Sequence, residues 1–179
     1  MRDFLELAGR RQSCRKYLDK PVEREKIIKC MEAARVAPSA CNSQPYKLHI
    51  VTKNYPKLEQ LRKCLQHMGM NRFLNEVNNY IVIEQVDGNA TVKIGEKMFK
   101  NDLNSIDIGL MISHITFQAL DEGLSTCIIG AFRKEKILQA MDFSASQTIR
   151  AVIAIGYASE KEVIRNKVRK DNKKVIEIH

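Results

Sequence analysis

Paired cysteines, long apolar runs, glycine-rich phosphate loops and metal-ligand spacings are all missing from this sequence, and each absence removes a class of protein. The five cysteines, Cys14, Cys30, Cys41, Cys64 and Cys127, contain no CxxC pair and are odd in number. Neither a zinc site nor a disulfide framework is therefore indicated, and they read as reduced thiols. No stretch approaches the roughly 18 consecutive apolar residues of a membrane span. The start, MRDFLELAGRRQSCRKY, meets charge too early for a secretion signal, so a cytoplasmic location and no membrane partner are expected. The eight glycines never form GxGxxG or a Walker loop, which disfavours a Rossmann nicotinamide domain. His49, His67, His114 and His179 are far apart and outside any HExxH pattern, so no metal is expected. Internal repeats and low-complexity tracts are also lacking.

What remains is the composition of an ordinary globular chain: 179 residues, 44% hydrophobic and 28% charged. A chain of this size forms one domain and buries about 70% of its unfolded surface. The formal charge of +9 would suit a nucleic acid, but no RNA- or DNA-binding motif accompanies it, so a small anion is the simpler partner and no nucleic acid is expected.

Apolar periodicity organises the chain. Ile27, Met31 and Ala34 mark a core-facing helix from Glu23 to Ala37, ended by Pro38. A polar loop, Ser39 to Pro45, separates it from a strand at Lys47 to Thr52. Leu58, Leu61, Leu65 and Met68 predict a second helix beginning near Pro56, and Tyr80 to Ile83 a short buried strand. The longest helical pattern runs from Asp102 to Glu122, with Ile106, Leu110, Phe117 and Leu120 on one face and apolar residues round much of the rest, which places it centrally. Gly123 suits its C-terminal cap. Ser125 to Ile129 reads as a strand, Arg133 to Met141 as a short helix, and Thr148 to Tyr157 as a strand covered on both faces. The tail from Glu160 to Lys174 carries seven basic and three acidic residues and should not fold alone. The apolar Val175, Ile176 and Ile178 beyond it need cover, which the sheet edge of another subunit can supply.

Three segments carry chemistry. In Arg11-Gln12-Ser13-Cys14-Arg15 the two arginines and Ser13 alternate, so an extended backbone turns them to one side, where guanidiniums and a hydroxyl can bind phosphate. Alone, the run is equally what a solvated basic face looks like. Pro38-Ser39-Ala40-Cys41-Asn42-Ser43-Gln44-Pro45 offers small residues and amides to a flat ring, or is a plain loop. Glu122 to Phe132 ends a strand at Gly130, where a backbone N–H can approach a ligand, or is a plain helix–strand junction.

Taken in this order, the segments resemble the nitroreductase family, with its RRSxRxY, APSAxNSQPW and GLGTCWIG motifs; the likeness extends from Gly9 to Tyr157. The resemblance implies an α+β, three-layer α/β/α fold with a mainly antiparallel sheet of about four strands, completed by a C-terminal strand exchanged within a homodimer. One domain, 1–179, is expected, its 160–179 tail embracing the partner. It also implies FMN at the dimer interface: Arg11, Ser13 and Arg15 on phosphate and ribityl; Pro38, Ser39, Ala40, Asn42 and Gln44 in the loop that the partner lays against the isoalloxazine; Ile129 and Gly130 with backbone near N5 and O4; Lys167 and Arg169 on the phosphate from the tail. A pyrimidine contact is expected near Asn71 and Arg72. The implied activity is hydride transfer from NAD(P)H through flavin N5 to nitroaromatic, quinone or similar acceptors in a ping-pong cycle, with no catalytic side chain. Gln12, Tyr46, Ser125 and Ala158 depart from the family's usual residues. A specialised flavin enzyme, such as a flavin reductase, dehydrogenase or reductive dehalogenase, and a non-catalytic flavin or nucleic-acid binder remain the alternatives. Cys41 and Cys127 are expected as small buried hydrophobes, and Met31, Met68 and Met111 as core residues.

Overall fold

A computed structural model describes residues 3–66 and 69–179. The helices are α1 (Phe4–Arg10), α2 (Arg24–Arg35), α3 (Leu58–Leu65), α4 (Ala90–Phe99), α5 (Leu103–Asp121) and α6 (Lys134–Ala140), and the strands β1 (Tyr46–Val51), β2 (Asn79–Gln85), β3 (Ser125–Ile129) and β4 (Thr148–Gly156). The strands form one antiparallel sheet in the order β1-β2-β4-β3.

The two central strands show why helices cover both faces. Side chains alternate across a sheet, and in β2 Tyr80 and Val82 point into one apolar cluster while Ile81 and Ile83 point into the other. All four are fully buried, so each contributes on the order of 1.5–3 kcal/mol of apolar burial. β4 does the same with Val152 and Ala154 against Ala151, Ile153 and Ile155. The first cluster is closed by α3 and α6, through Leu61, Leu65, Ile137 and Leu138; the second by α2 and α5, through Ile27, Cys30, Ala34, Met111, Ile115 and Ala119. The result is an α+β molecule of three layers.

β3 matches the sequence-based span, and the other expected elements shift by a few residues. Gly123 caps α5 at φ +75°, with Gly123 N donating to Leu120 O (3.1 Å) and Leu124 N to Ala119 O (2.8 Å), the paired bonds of a Schellman ending. Met68 and His67 lie outside the described residues. Two helices escape the periodicity reading. α1 buries no residue and α4 only Val92; α1 is fixed by an Asp3 cap on Leu5 N and by Phe4 against Phe117 (ring centroids 5.1 Å).

Two expectations need correction, and the structure also shows which of the two apolar faces of α5 meets the sheet. The α5 face bearing Ile106 and Leu110 points outward, with those residues 58% and 40% exposed, while Ile108, Met111 and Ile115 are the buried ones. Cys41 is exposed, unlike Cys127. His49 has a carboxylate partner that spacing did not reveal, Glu84 at 2.8 Å.

Candidate functional site

After α1 the chain runs along the outer edge of β3. Ser13 bridges Thr126 in parallel and Tyr17 bridges Ala158 antiparallel. Cys14 N donates to Thr126 O at 2.9 Å and Leu18 N to Tyr157 O at 2.9 Å. The extended conformation foreseen for Arg11 to Arg15 is thus imposed by an open sheet edge. It gathers Arg11, Ser13 and Arg15 around the Cys127 thiol, which burial pushes up while Arg15, a Ser13 hydrogen bond, Arg11 and Arg165 pull it down.

Arg11 is the unusual member. Its Nε and Nη2 are buried and make no hydrogen bond, and burial lowers its pKa from the ordinary guanidinium value despite opposing influence from Cys127 and Tyr17. A desolvated guanidinium with unpaired donors is costly unless an anion meets it. A phosphate has the charge and acceptor geometry to do so.

The basic tail returns to this edge. Lys167 Nζ donates to Arg11 O (2.6 Å), Arg165 N to Gln12 Oε1 (3.0 Å) and Arg165 Nη2 to Ser13 O, while Gln12 Nε2 donates to Val163 O (3.0 Å) and Lys16 Nζ to Lys161 O (3.1 Å). Gln12, which departs from a usual basic residue, is therefore a tail clamp. Lys167 lies at this edge through its bond to Arg11 O. Among the described residues Arg169 bonds its neighbour Val168, whereas Arg165, which periodicity and motif both passed over, bonds Gln12 and Ser13. The turn at Asn71 packs on the same edge: Asn71 is left-handed (φ 58°) and donates to Leu65 O (3.0 Å), Phe73 stacks on Tyr17 (6.1 Å), and Glu76 accepts from Tyr17 N (3.4 Å).

Farther along β3, Ile129 is buried and Gly130 exposed. From Thr126 to Gly130 is ~13 Å along the strand. A Cβ at Gly130 would meet nothing within 4 Å, so the protomer itself does not require glycine there.

The loop from Pro38 to Gln44 is built differently. A 3-10 turn, Ala40–Asn42, holds Cys41 and Asn42 at φ 49° and 50°, and Gln44 follows at 47°, a conformation costly for non-glycine residues. External bonds hold it. Ala40 N donates to both carboxylate oxygens of Asp107 (3.1 and 3.0 Å), Gln44 N to Ser39 Oγ (3.0 Å), Asn89 Nδ2 to Cys41 O (3.0 Å) and Asn89 N to Ser43 Oγ (2.9 Å). Gln44 Nε2 folds back on Asn42 Oδ1 (3.0 Å). Asp107 and Asn89 are invisible to motif reading, because each acts through the backbone of a distant segment.

Within one protomer this loop does not meet the arginine edge. The loop leads into β1 at Tyr46, opposite Gln85 and so level with Thr148, whereas Ser13 sits beside Thr126, level with Ile155. That separation is ~23 Å along the strands and ~19 Å across them. One compact ligand touching both segments needs the loop of one protomer and the edge of another. Among the described residues no group of three or more His, Cys, Asp or Glu is placed to hold a metal ion, and no helix is long and apolar enough to cross a membrane.

Comparison with known proteins agrees with the motifs. The profile of the nitroreductase family matches residues 8–69 and 69–157. An FMN-dependent nitroreductase from Clostridium difficile R20291 is 27% identical, superposes with a TM-score of 0.78, and is covered over 98% of this chain and 99% of its own. The 4-nitrobenzoate reductase of Pseudomonas putida is 25% identical over 92% of this chain and 89% of its own. A nitroreductase family protein from Streptococcus pneumoniae TIGR4, 19% identical, shares the fold with a TM-score of 0.80 over 99% and 100% of the two chains. The chain belongs to the nitroreductase family.

Proposed function

We propose that this protein is an FMN-dependent NAD(P)H oxidoreductase acting as a homodimer. The observation that carries the reading is the buried, unpaired guanidinium of Arg11 beside Ser13, Arg15, Arg165 and Lys167. Arg11, Ser13 and Arg15 hold the phosphate and ribityl chain, with Lys167 and Arg165 adding charge from the tail. Arg169 joins them only by a rearrangement of the tail. The backbone of Ile129 and Gly130 faces the ring, Asn71 or Arg72 meets its pyrimidine edge, and Pro38, Ser39, Ala40, Asn42 and Gln44 arrive from the partner. Bound there, FMN would supply the redox chemistry, linking hydride transfer from NAD(P)H at N5 to reduction of a nitroaromatic, quinone or similar acceptor in a ping-pong cycle. The chain's own part is to bind and orient the cofactor, exclude water from it and supply backbone donors where negative charge collects.

The outward face of α5 supports the dimer. Ile106, Gly109, Leu110 and Ser113 are exposed with Phe117 half-buried, an apolar stripe with small residues that let another backbone approach. Antiparallel pairing of two α5 helices about Leu110 sets the Asp107 end of one, with its loop, against the Leu120 end of the other. The chain then forms one domain, 1–179, whose 160–179 tail embraces the partner. Val168 and Ile178, 89% and 93% exposed, gain cover there, and Val175 to Ile178, irregular in the protomer, become a strand only on the partner.

The test is the visible absorption spectrum of the purified protein before and after incubation with FMN, followed by anaerobic NADH and then NADPH. Flavin bands that bleach with either nucleotide are expected; a protein that stays colourless after FMN treatment refutes the reading.

A further inference from the structure

Asp107 is a buried acid with no role in the reading above. It is 3% exposed on α5, and its two oxygens share a single donor, Ala40 N–H. Among the described residues no Lys, Arg or His lies within ion-pair distance of it. A carboxylate can accept about four hydrogen bonds, and burying one with a single donor is unfavourable compared with a neutral amide that could accept the same bond. The bond alone therefore does not account for a charge at this position. The charge is felt locally: the Tyr46 phenol is pushed up by burial and then by Asp107.

The segment Asp107 holds is strained and only partly held by its own bonds. Cys41 and Asn42 are both left-handed, Ser39 O and Ala40 O are consumed within the turn, and Cys41 O is taken by Asn89. Among the described residues Cys41 N–H and Asn42 Nδ2 make no hydrogen bond, and both residues are exposed.

We propose that Asp107 is a positioning residue with a second effect: it fixes the Pro38–Asn42 turn for contact with flavin, and its negative charge lowers the electron affinity of that flavin. The inference rests on the proposed placement of this turn against the isoalloxazine across the dimer. A fixed anion behind the turn disfavours negative charge that accumulates on the ring in the reduced state. Asn89, which holds the other side of the turn and caps α4 by accepting from Val92 N (3.0 Å), positions the loop without adding charge.

The experiment compares the full-length protein with D107N, D107A and N89A, measuring FMN dissociation constants by flavin fluorescence and the midpoint potential of the bound flavin against reference dyes. D107A is expected to weaken FMN binding by about tenfold or more, the loss of one charge-assisted bond. D107N keeps an acceptor for Ala40 N–H, so it should retain near-wild-type affinity and shift the midpoint to a more positive value. N89A should weaken binding with little movement of the potential. Unchanged affinity in D107A, or an unchanged potential in flavin-loaded D107N, overturns the inference. Should D107A fail to fold, the potential of D107N decides alone. Wild-type protein that takes up no FMN refutes the proposed function instead.

Discussion

Arg11 ties stability and binding together with opposite signs. Its guanidinium is desolvated and unpaired on Nε and Nη2, so it weakens the cofactor-free fold while waiting for an anion. Arg11→Met removes the buried charge and keeps much of the aliphatic volume. The cofactor-free variant should melt no lower than wild type, and its FMN affinity should fall by about 1.5–3 kcal/mol. Thermal unfolding with and without FMN measures both, and a variant that melts lower yet binds normally contradicts the assignment. Cys30 gives a pH-dependent counterpart. It is fully buried between α2 and the sheet, and burial pushes its thiol to about 12. A raised acid pKa means the folded state keeps a proton that the unfolded state releases above about pH 9, so stability is lost as pH rises from there toward 12. Cys30→Ala should be about 1 kcal/mol less stable at pH 7 from lost packing, yet decline less steeply above pH 9, by as much as ~1.4 kcal/mol per pH unit. Denaturant unfolding at stepped pH separates the two effects.

At the scale of elements, legibility followed burial. β2, β3, β4 and the body of α5 are covered on one or both faces within the protomer, so their apolar residues repeat at the period of the backbone and could be read directly. α1 and α4 could not, because almost none of their residues is buried and a helix without a core-facing stripe has no period. α5 was found but its orientation was not. Its apolar residues go nearly all round, and periodicity cannot tell which of two apolar faces meets the protein's own sheet. The site divides similarly. Arg11, Ser13 and Gly130 came from motifs, whereas Arg165, Asn89 and Asp107 act through backbone atoms far away in sequence and leave no local pattern. The end of α5 is the best-specified junction, and Gly123 at φ +75° carries it. No atom lies within 4 Å of where a Cβ would stand, so Gly123→Ala isolates backbone strain from crowding. It should cost about 1–2 kcal/mol, read from denaturant midpoints with an unchanged slope. A neutral result means the Schellman ending contributes nothing to stability.

At the scale of the molecule, the proposed dimer accounts for surface that the protomer leaves open. The protomer exposes Ile106, Leu110, Ile94, Met98 and Phe99 on helices and Val168, Ile176 and Ile178 on the tail, apolar surface that a partner could cover. The two segments proposed to face the flavin also lie apart along and across the sheet. The proposed two-fold partner would answer both conditions at once, since a contact covering the stripe would also carry each loop toward the other's arginine edge. In the proposed dimer, loss of assembly also removes the cofactor site. Leu110→Lys sets a charge in the middle of the stripe without touching Arg11, Asp107 or β3. It should yield a protein with native secondary structure that sediments as a monomer, loses FMN on dilution, and regains both association and flavin absorbance together at high protein and FMN concentration. Analytical ultracentrifugation recorded at flavin and protein wavelengths follows the two in one run. A monomer that keeps its flavin at wild-type affinity would place the whole site within one chain and remove the reason for the dimer.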